Sequence, residues 1–432
     1  MELPKEFISE TQRVMGADRF ARLLAALRET PPVSIRLNPA KLAALGLPLA
    51  AQLVAGGSPV PWCPEGFYLS SRPAFTFDPL LHAGAYYVQE ASSMFVAHVL
   101  RQYVGGPVAM LDMCAAPGGK SSAARSVLPQ GSVLVSNEPV RQRAQVLVEN
   151  MMKWGYADCM VTSNYPQDIR RSGAQFGVIL CDVPCSGEGM FRKDPGAIEE
   201  WSLQNVERCW RLQREIVAEA WQCLVDGGLM VYSTCTFNTK ENEENVRWIE
   251  QELGGEVLRV DIDEGWGITG SLLPGYDRPV YRFLPGYTVG EGLFMAVVRK
   301  RGHLPRLDEK AWRGLIGKAT PKLNMLYDGQ PQSERKGKTL VPAHAQALSL
   351  ASGRGQYEQA ELGYPAAMAY LRGEAIQLPP CVSKGYVMVT FHGLPLGFVK
   401  NIGNRANNLY PKEWRIKSTH IPQEYEAILR LA

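Results

Sequence analysis

The chain has 432 residues, 46% hydrophobic and 21% charged, a composition that fits a globular protein of roughly two to four domains and excludes a disordered or fibrous one. No apolar run is long enough for a transmembrane helix, and the first residues lack the basic and apolar regions of a secretory signal. A cytoplasmic location with no membrane partner is therefore expected. The net charge is +3, but from Arg301 onward there are 18 Lys and Arg against 10 Asp and Glu, and before it 28 against 33. A basic end on a slightly acidic body reads either as a polyanion contact or as a solubilising surface. The nine cysteines are scattered and form no CxxC pair, so free thiols and no metal site are expected.

In chain order, apolar residues at Phe7, Val14, Phe20, Leu23, Leu24 and Leu27 predict one or two short amphipathic helices, stopped by Pro31-Pro32. Strands are expected at 34–38 and 66–69, giving a small α+β domain. From Pro107 the pattern becomes regular βα alternation. Strands are expected at 108–111, 132–136, 160–162, 178–181, 229–233 and 293–299, with helices at 120–128, 140–154, 205–224 and 240–253. Alternation of this kind predicts a doubly wound, mainly parallel sheet with its ligands beyond the carboxyl ends of the strands. After Arg301 the signal weakens through the polar stretch 330–338. Strands at 385–391 and 396–399, with His392-Gly393 between them, then suggest a compact β-rich module. The expected division is 1–90, 91–300, 301–370 and 371–432.

The turn after the first parallel strand reads Cys114-Ala115-Ala116-Pro117-Gly118-Gly119-Lys120. Small residues there let the backbone approach a ligand, and the following helix aims its N–H groups at it. Glu138, closing the next strand, is placed to accept ribose hydroxyls. A nicotinamide dehydrogenase remains compatible with these features. Two cysteines separate the readings, because Cys185 and Cys235 both sit just beyond strand ends, in Cys181-Asp182-Val183-Pro184-Cys185 and Ser233-Thr234-Cys235. Methylation at carbon 5 of a cytosine uses such a set. A thiolate adds to C6 and makes C5 nucleophilic, an acid such as Asp182 stabilises the ring at N3 or the amino group, and the C5 proton then leaves. Spacing does not say which cysteine attacks. Cys159, Cys181, Cys209, Cys223 and Cys381 read as small buried hydrophobes.

These residues, with the run Asp182-Val183-Pro184-Cys185-Ser186-Gly187-Glu188-Gly189-Met190-Phe191-Arg192-Lys193-Asp194-Pro195 and Trp201, resemble the Sun/Nop2 (NOL1/NOP2/sun) family of RNA cytosine-5 methyltransferases, and within it the bacterial ribosomal RsmF-type branch. The resemblance spans the chain and is strongest from about 85 to 300. It implies a Rossmann-like class I methyltransferase domain with a seven-stranded sheet, an N-terminal α+β domain and a PUA-like RNA-binding domain at the end. It implies S-adenosylmethionine as cofactor, Cys235 as nucleophile and Cys185 in product release. Cofactor contacts are implied from Cys114 to Lys120 and at Glu138, Asp182 and Arg143, and the segment 34–41, with Arg36 and Asn38, is implied to pack near the site. Many relatives place an Asp where this chain has Asn164, whose carbonyl could still accept from the adenine amino group.

The expected partner is 16S ribosomal RNA or the small ribosomal subunit, not DNA, met by a monomer, since no heptad or apolar seam argues for a dimer. Tyr410 and Trp414, beside Lys412, Arg415 and Lys417, could stack on bases, with packing the favoured role for Trp414. A transfer RNA substrate is the near alternative. A non-catalytic ribosome-assembly factor is the alternative of another class, and the retained cysteines, Asp182 and glycine turn speak against it.

Overall fold

The computed structural model describes residues 2–49, 51–330, 333–336, 339–351, 356–418 and 420–431; of the polar stretch 330–338, residues 331–332 and 337–338 lie outside these. Two amphipathic helices, Lys5–Met15 and Ala17–Leu27, open the chain and meet at Gly16. Their apolar stripe does not face the strands that follow. Phe7, fully buried, sits edge-on to Phe191 and Trp201 at 5.1 and 5.5 Å between centroids, in one cluster with Leu23, Leu27 and Phe237. Burying such a side chain contributes about 1.5–3 kcal/mol, so the helices form a firm wall behind the loops that carry Cys185 and Cys235.

Strands β1 (Val33–Leu37), β2 (Ser58–Val60), β3 (Cys63–Leu69) and β4 (Tyr86–Val88) make an antiparallel sheet in the order β2-β3-β1-β4. The central sheet follows with β5 (Ala109–Asp112), β6 (Val133–Asn137), β7 (Cys159–Thr162), β8 (Phe176–Asp182), β9 (Leu224–Thr234), β10 (Gly255–Leu258), β11 (Tyr281–Phe283), β12 (Leu293–Lys300) and β13 (Met325–Tyr327). Its order is β10-β12-β9-β8-β5-β6-β7-β13, with β11 pairing β12. Strands β5 to β9 are mutually parallel, and β12 runs antiparallel beside β9. Nine strands thus stand, among the described residues, where seven are expected. Seven form the continuous run from β10 to β7, and β11 and β13 are three-residue antiparallel additions, β11 beside its near neighbour β12 and β13 beside the sequence-remote β7. The switch in strand order falls between β5 and β8, so ligands are expected beyond the carboxyl ends of these strands.

The strand expected at 229–233 begins at Leu224 instead, so the Gly227-Gly228 pair lies inside β9. Gly227 has φ +72° and a Cβ there would meet the backbone of Leu304 at 2.1 Å, so glycine lets the later chain cross the strand closely. Helix Glu309–Ala319 packs Trp312 and Ile316 into the same core. A short hairpin, β14 (Glu334–Lys336) with β15 (Thr339–Val341), precedes the last sheet. That sheet has the order β16 (Glu358–Glu361), β17 (Gly385–Phe391), β18 (Leu394–Asn401), β19 (Ala406–Asn408), with β16 parallel to β17. His392 and Gly393 both have positive φ, as the two-residue turn joining β17 and β18 requires.

The C-terminal module shares one apolar core with the N-terminal sheet, in which Ile35, Leu37 and Phe67 lie with Val389, Leu396 and Leu429. Backbone bonds seal the junction, from Ala55 N–H to Ile428 O at 3.1 Å and from Arg430 N–H to Leu53 O at 2.8 Å. Tyr410, expected as a stacking residue, is only 2% exposed and packs against Tyr370 and His344, so burial removes it from any RNA face. Trp414 is half-buried against the same histidine, with the Lys153 ammonium 5.3 Å over its ring, which is the packing role. Cys381, expected inside, is exposed, because it follows Pro379-Pro380 in a surface turn. Cys159, Cys181, Cys209 and Cys223 are buried as expected.

His344 is half-buried as a residue, but both of its ring nitrogens are buried and neither has a partner. Burial, with Lys153 nearby, pushes its pKa down to about 3. The folded chain therefore holds it neutral while the unfolded chain titrates near 6.5, so stability is lost as pH falls below that value. Relative to wild type, His344→Phe should gain about 1 kcal/mol between about pH 6.5 and 5.5 in denaturant unfolding. A difference independent of pH would show that the ring is not held neutral.

Candidate active site

The glycine turn begins where β5 ends. Ala115 donates its N–H to Asn137 O at 2.8 Å, tying the turn to the end of β6, and Gly118 takes φ +109°. Pro117 O accepts from Asn150 Nδ2 at 2.8 Å. Helix Gly119–Val127 then leads away with its first N–H groups facing the turn. Arg36, 1% exposed, braces this helix from β1 by donating to Ser122 Oγ at 2.6 Å and to Gln89 Oε1 at 2.7 Å. Asn38 bonds Gly84 O and Trp154 O, so it fixes the helix Arg141–Trp154 and reaches no reactive group.

Glu138 is 1% exposed, accepts from its neighbour Val140 N–H at 3.0 Å and meets Arg143 at 3.4 Å. Arg143 also donates to Ala116 O at 3.2 Å, linking the acid to the turn. Asn164 follows β7 on the same side, its backbone clamped by the Asn137 side chain through bonds of 3.0 and 2.9 Å. Its carbonyl, expected to accept from a ligand, already takes Asn324 N–H at 3.0 Å, because β13 is added at that edge. The amide nitrogen is instead the buried atom without a partner, so this position offers a donor where an acceptor was expected.

Cys185 and Cys235 lie beyond the ends of the adjacent parallel strands β8 and β9, and their sulfurs are 3.1 Å apart. Asp182, the last residue of β8, accepts from Ser233 Oγ at 2.7 Å and pairs with Lys120 at 2.9 Å. Burial opposes charge on Lys120, but Asp182, with Cys235 and Asp112 adding to it, holds its pKa above the ordinary value. The ammonium thus stays charged beside the Cys235 sulfur. The hydrogen bond to Cys235, followed by burial, pushes the Cys185 thiol well up. Cys185 therefore keeps its proton at neutral pH. Cys114 is pushed well up by burial, so at the glycine turn it serves as a small inert side chain.

The structure thus brings Cys185, Cys235, Asp182 and Lys120 together, and sets Cys114 to Gly119, Glu138, Arg143 and Asn164 along the neighbouring edge. Sequence reasoning missed Glu188 and Glu241, buried carboxylates behind the two cysteine loops. Both stand in the quoted or adjacent motifs, but an acidic residue in a polar run reads as solvated until its partners are seen. Among the described residues no group of three or more His, Cys, Asp or Glu is placed to hold a metal, and no helix is long and apolar enough to cross a membrane.

The sheet order and the glycine turn define a Rossmann-like methyltransferase domain, here joined to a PUA-like module. Among solved structures, the chain is similar to NSun6 from Pyrococcus horikoshii with SFG (TM-score 0.57, 21% identity, 69% of this chain and 99% of that one). It is also similar to a methyltransferase homolog protein from Pyrococcus horikoshii (TM-score 0.56, 25% identity, 69% and 100%). Residues 106–299 match the family model of the 16S rRNA methyltransferase RsmB/F, residues 3–91 that of the N-terminal domain of 16S rRNA methyltransferase RsmF, and residues 358–416 that of the methyltransferase RsmF PUA domain. The chain is 30% identical to the ribosomal RNA small subunit methyltransferase F of Salmonella agona over 95% of its own length and 96% of that protein's. It is 28% identical to the protein of that name from Pectobacterium atrosepticum, over 95% of each. The chain belongs to the RsmB/F family of 16S rRNA methyltransferases. The family's cofactor is S-adenosylmethionine.

Proposed function

We propose that this chain methylates carbon 5 of a cytosine in RNA of the small ribosomal subunit through a covalent adduct on Cys235. The observation that carries the reading is the 3.1 Å approach of two thiols at the ends of β8 and β9, beside the Asp182–Lys120 pair and next to the glycine turn. When bound, S-adenosylmethionine supplies an electrophilic methyl group on a sulfonium. The residues fit it, since Glu138 offers a buried carboxylate for the ribose and Asn164 an unpartnered amide N–H for the adenine edge. Arg143 and the residues 114–120 shape the remaining contacts.

Cys235, as thiolate, adds to C6 and passes the ring's electron density to C5. The Lys120 ammonium stabilises the thiolate before attack. Asp182, gripped by Ser233 and Lys120, faces the N3 and amino edge of the base. Cys185, in contact with the attacking sulfur, serves the elimination in which the C5 proton leaves and the carbon–sulfur bond breaks. The target base must leave its stack to reach these thiols, so single-stranded or locally opened RNA is the form acted upon. We assign residues 1–90 to a supporting domain, 91–300 to catalysis, 301–370 to a connection and 371–432 to RNA contact, in a monomer acting in the cytoplasm.

The test uses methyl-labelled S-adenosylmethionine with small subunits, 16S ribosomal RNA and transfer RNA that have never met the enzyme. Label is expected on carbon 5 of cytosine in the ribosomal RNA. Label in transfer RNA alone would replace the substrate, and label on another atom would overturn the chemistry.

A further inference from the structure

Glu188 follows Cys185 by three residues, yet its backbone partners are in the other cysteine loop. Its Oε2 accepts the backbone N–H groups of Phe237 and Asn238 at 2.5 and 3.1 Å, while Oε1 takes Trp201 Nε1–H at 3.0 Å. Glu241 follows Cys235 by six residues and does the reverse. Its Oε2 accepts Ser186 N–H at 3.0 Å and Gln213 Nε2–H at 2.7 Å, and its Oε1 takes Ser186 Oγ–H at 2.5 Å and Asn238 Nδ2–H at 2.7 Å. Gly189 N–H to Cys235 O at 2.7 Å and the Ser186–Thr236 hydroxyl contact at 2.9 Å close the same seam.

Both carboxylates are at most 1% exposed, and taking them out of water is costly unless their oxygens are filled with donors, as they are here. Burial and the nearby Glu188 push Glu241 up to about 7, a sign of that cost. An apolar seam would pack the loops as tightly. What it could not do is fix the residue after Cys185 and the two residues beyond Thr236 by directional bonds, and those bonds set where the sulfurs lie.

We propose that Glu188 and Glu241 are positioning residues, a reciprocal brace in which each cysteine loop is held by the carboxylate of the other, so that Cys185 is kept against Cys235. The proposal rests on reading these thiols as the reacting pair, and it concerns their relative placement rather than the chemistry of methylation. The brace leaves the cofactor turn untouched, since none of its bonds reaches residues 114–120.

The experiment reads thiol placement without RNA or cofactor. The reduced full-length protein is treated with diamide, whose N=N bond takes two hydrogens from two thiols as they join in a Cys185–Cys235 disulfide. The reaction is followed by the loss of two hydrogens in the protein mass and by peptide mapping. Alkylation by iodoacetamide at the same pH corrects for thiol reactivity. Relative to wild type, Glu241→Ala and Glu188→Ala should cross-link at least ten-fold more slowly after that correction. Glu241→Gln, which keeps the volume and one accepting oxygen, should fall between, and it carries the test if the alanine variants fail to fold. Ile316→Ala, which loosens the core at β5 and β6 away from the loops, should stay within two-fold. Brace variants that cross-link at the wild-type rate, or an Ile316→Ala as slow as they are, would overturn the brace. Slow cross-linking in the brace variants of a protein that methylates no RNA would leave the brace standing and remove only the proposed function.

Discussion

Cys235→Ala is expected to lose methyl transfer by a factor on the order of 10⁴ or more, the scale seen when an attacking nucleophile is removed. Cys185→Ala is expected to fail differently. It should form the C6 adduct, transfer the methyl group once and then stall, so that a denaturation-resistant protein–RNA complex accumulates with label in it. The asymmetry follows from where the proton sits. Cys185 is hydrogen-bonded to Cys235 and held as a thiol, which leaves Cys235, within the electrostatic reach of the Lys120 ammonium, to attack. Single-turnover assays followed by denaturing gels separate the two variants. Full activity in Cys235→Ala, with Cys185→Ala dead and free of adduct, would exchange their roles.

Arg282→Ala is expected to cost about 3–5 kcal/mol in stability, a large share of the roughly 5–15 kcal/mol that holds a domain together. Arg282 and Glu243 are both at most 1% exposed and joined by two bonds, one of 2.7 Å from Nε to Oε1. Removing the guanidinium leaves a carboxylate buried with Leu272 N–H as its remaining partner at 2.9 Å. Arg282 also donates to Phe237 O at 2.7 Å, two residues beyond Cys235, so activity should fall with stability. Replacing both partners, as Arg282→Met with Glu243→Leu, should recover much of the stability and little of the activity. Urea unfolding of the single and double variants checks this. A single-variant loss below about 1 kcal/mol would mean that the pair contributes no more than a surface ion pair does.

The parallel strands β5 to β9 were legible in the sequence because each is a short apolar run followed by a helix with a 3.6-residue period, and both signals are local. The glycine turn, Glu138 and the two strand-end cysteines were legible for the same reason. Position relative to a strand end is enough to place them in the crevice. The strands β10, β11 and β13 were not, since three or four residues carry no period, and the partners of β10 and β13 lie far away in the chain. The polarity of Asn164 escaped because it depends on Asn324, 160 residues later. Tyr410 was misjudged since basic neighbours suggest a surface, while its ring turns inward onto Tyr370 and His344. Glu188 and Glu241 were visible as letters and silent as chemistry, because only the apposition of two loops gives them their donors.

The shared core of the first sheet and the last module has a temporal consequence. Strands β1 to β4 leave the ribosome well before side chains between Ala360 and Leu431 that pack against them. At elongation rates of about 5–20 residues per second, some 270 intervening residues separate the two by roughly 15 to 60 seconds. Throughout that interval Ile35, Leu37 and Phe67 have only part of their final cover, from N-terminal residues such as Leu42, Phe75 and Leu80, and the central sheet can assemble before this domain is complete. The order in which these parts are completed therefore differs from their order in the sequence.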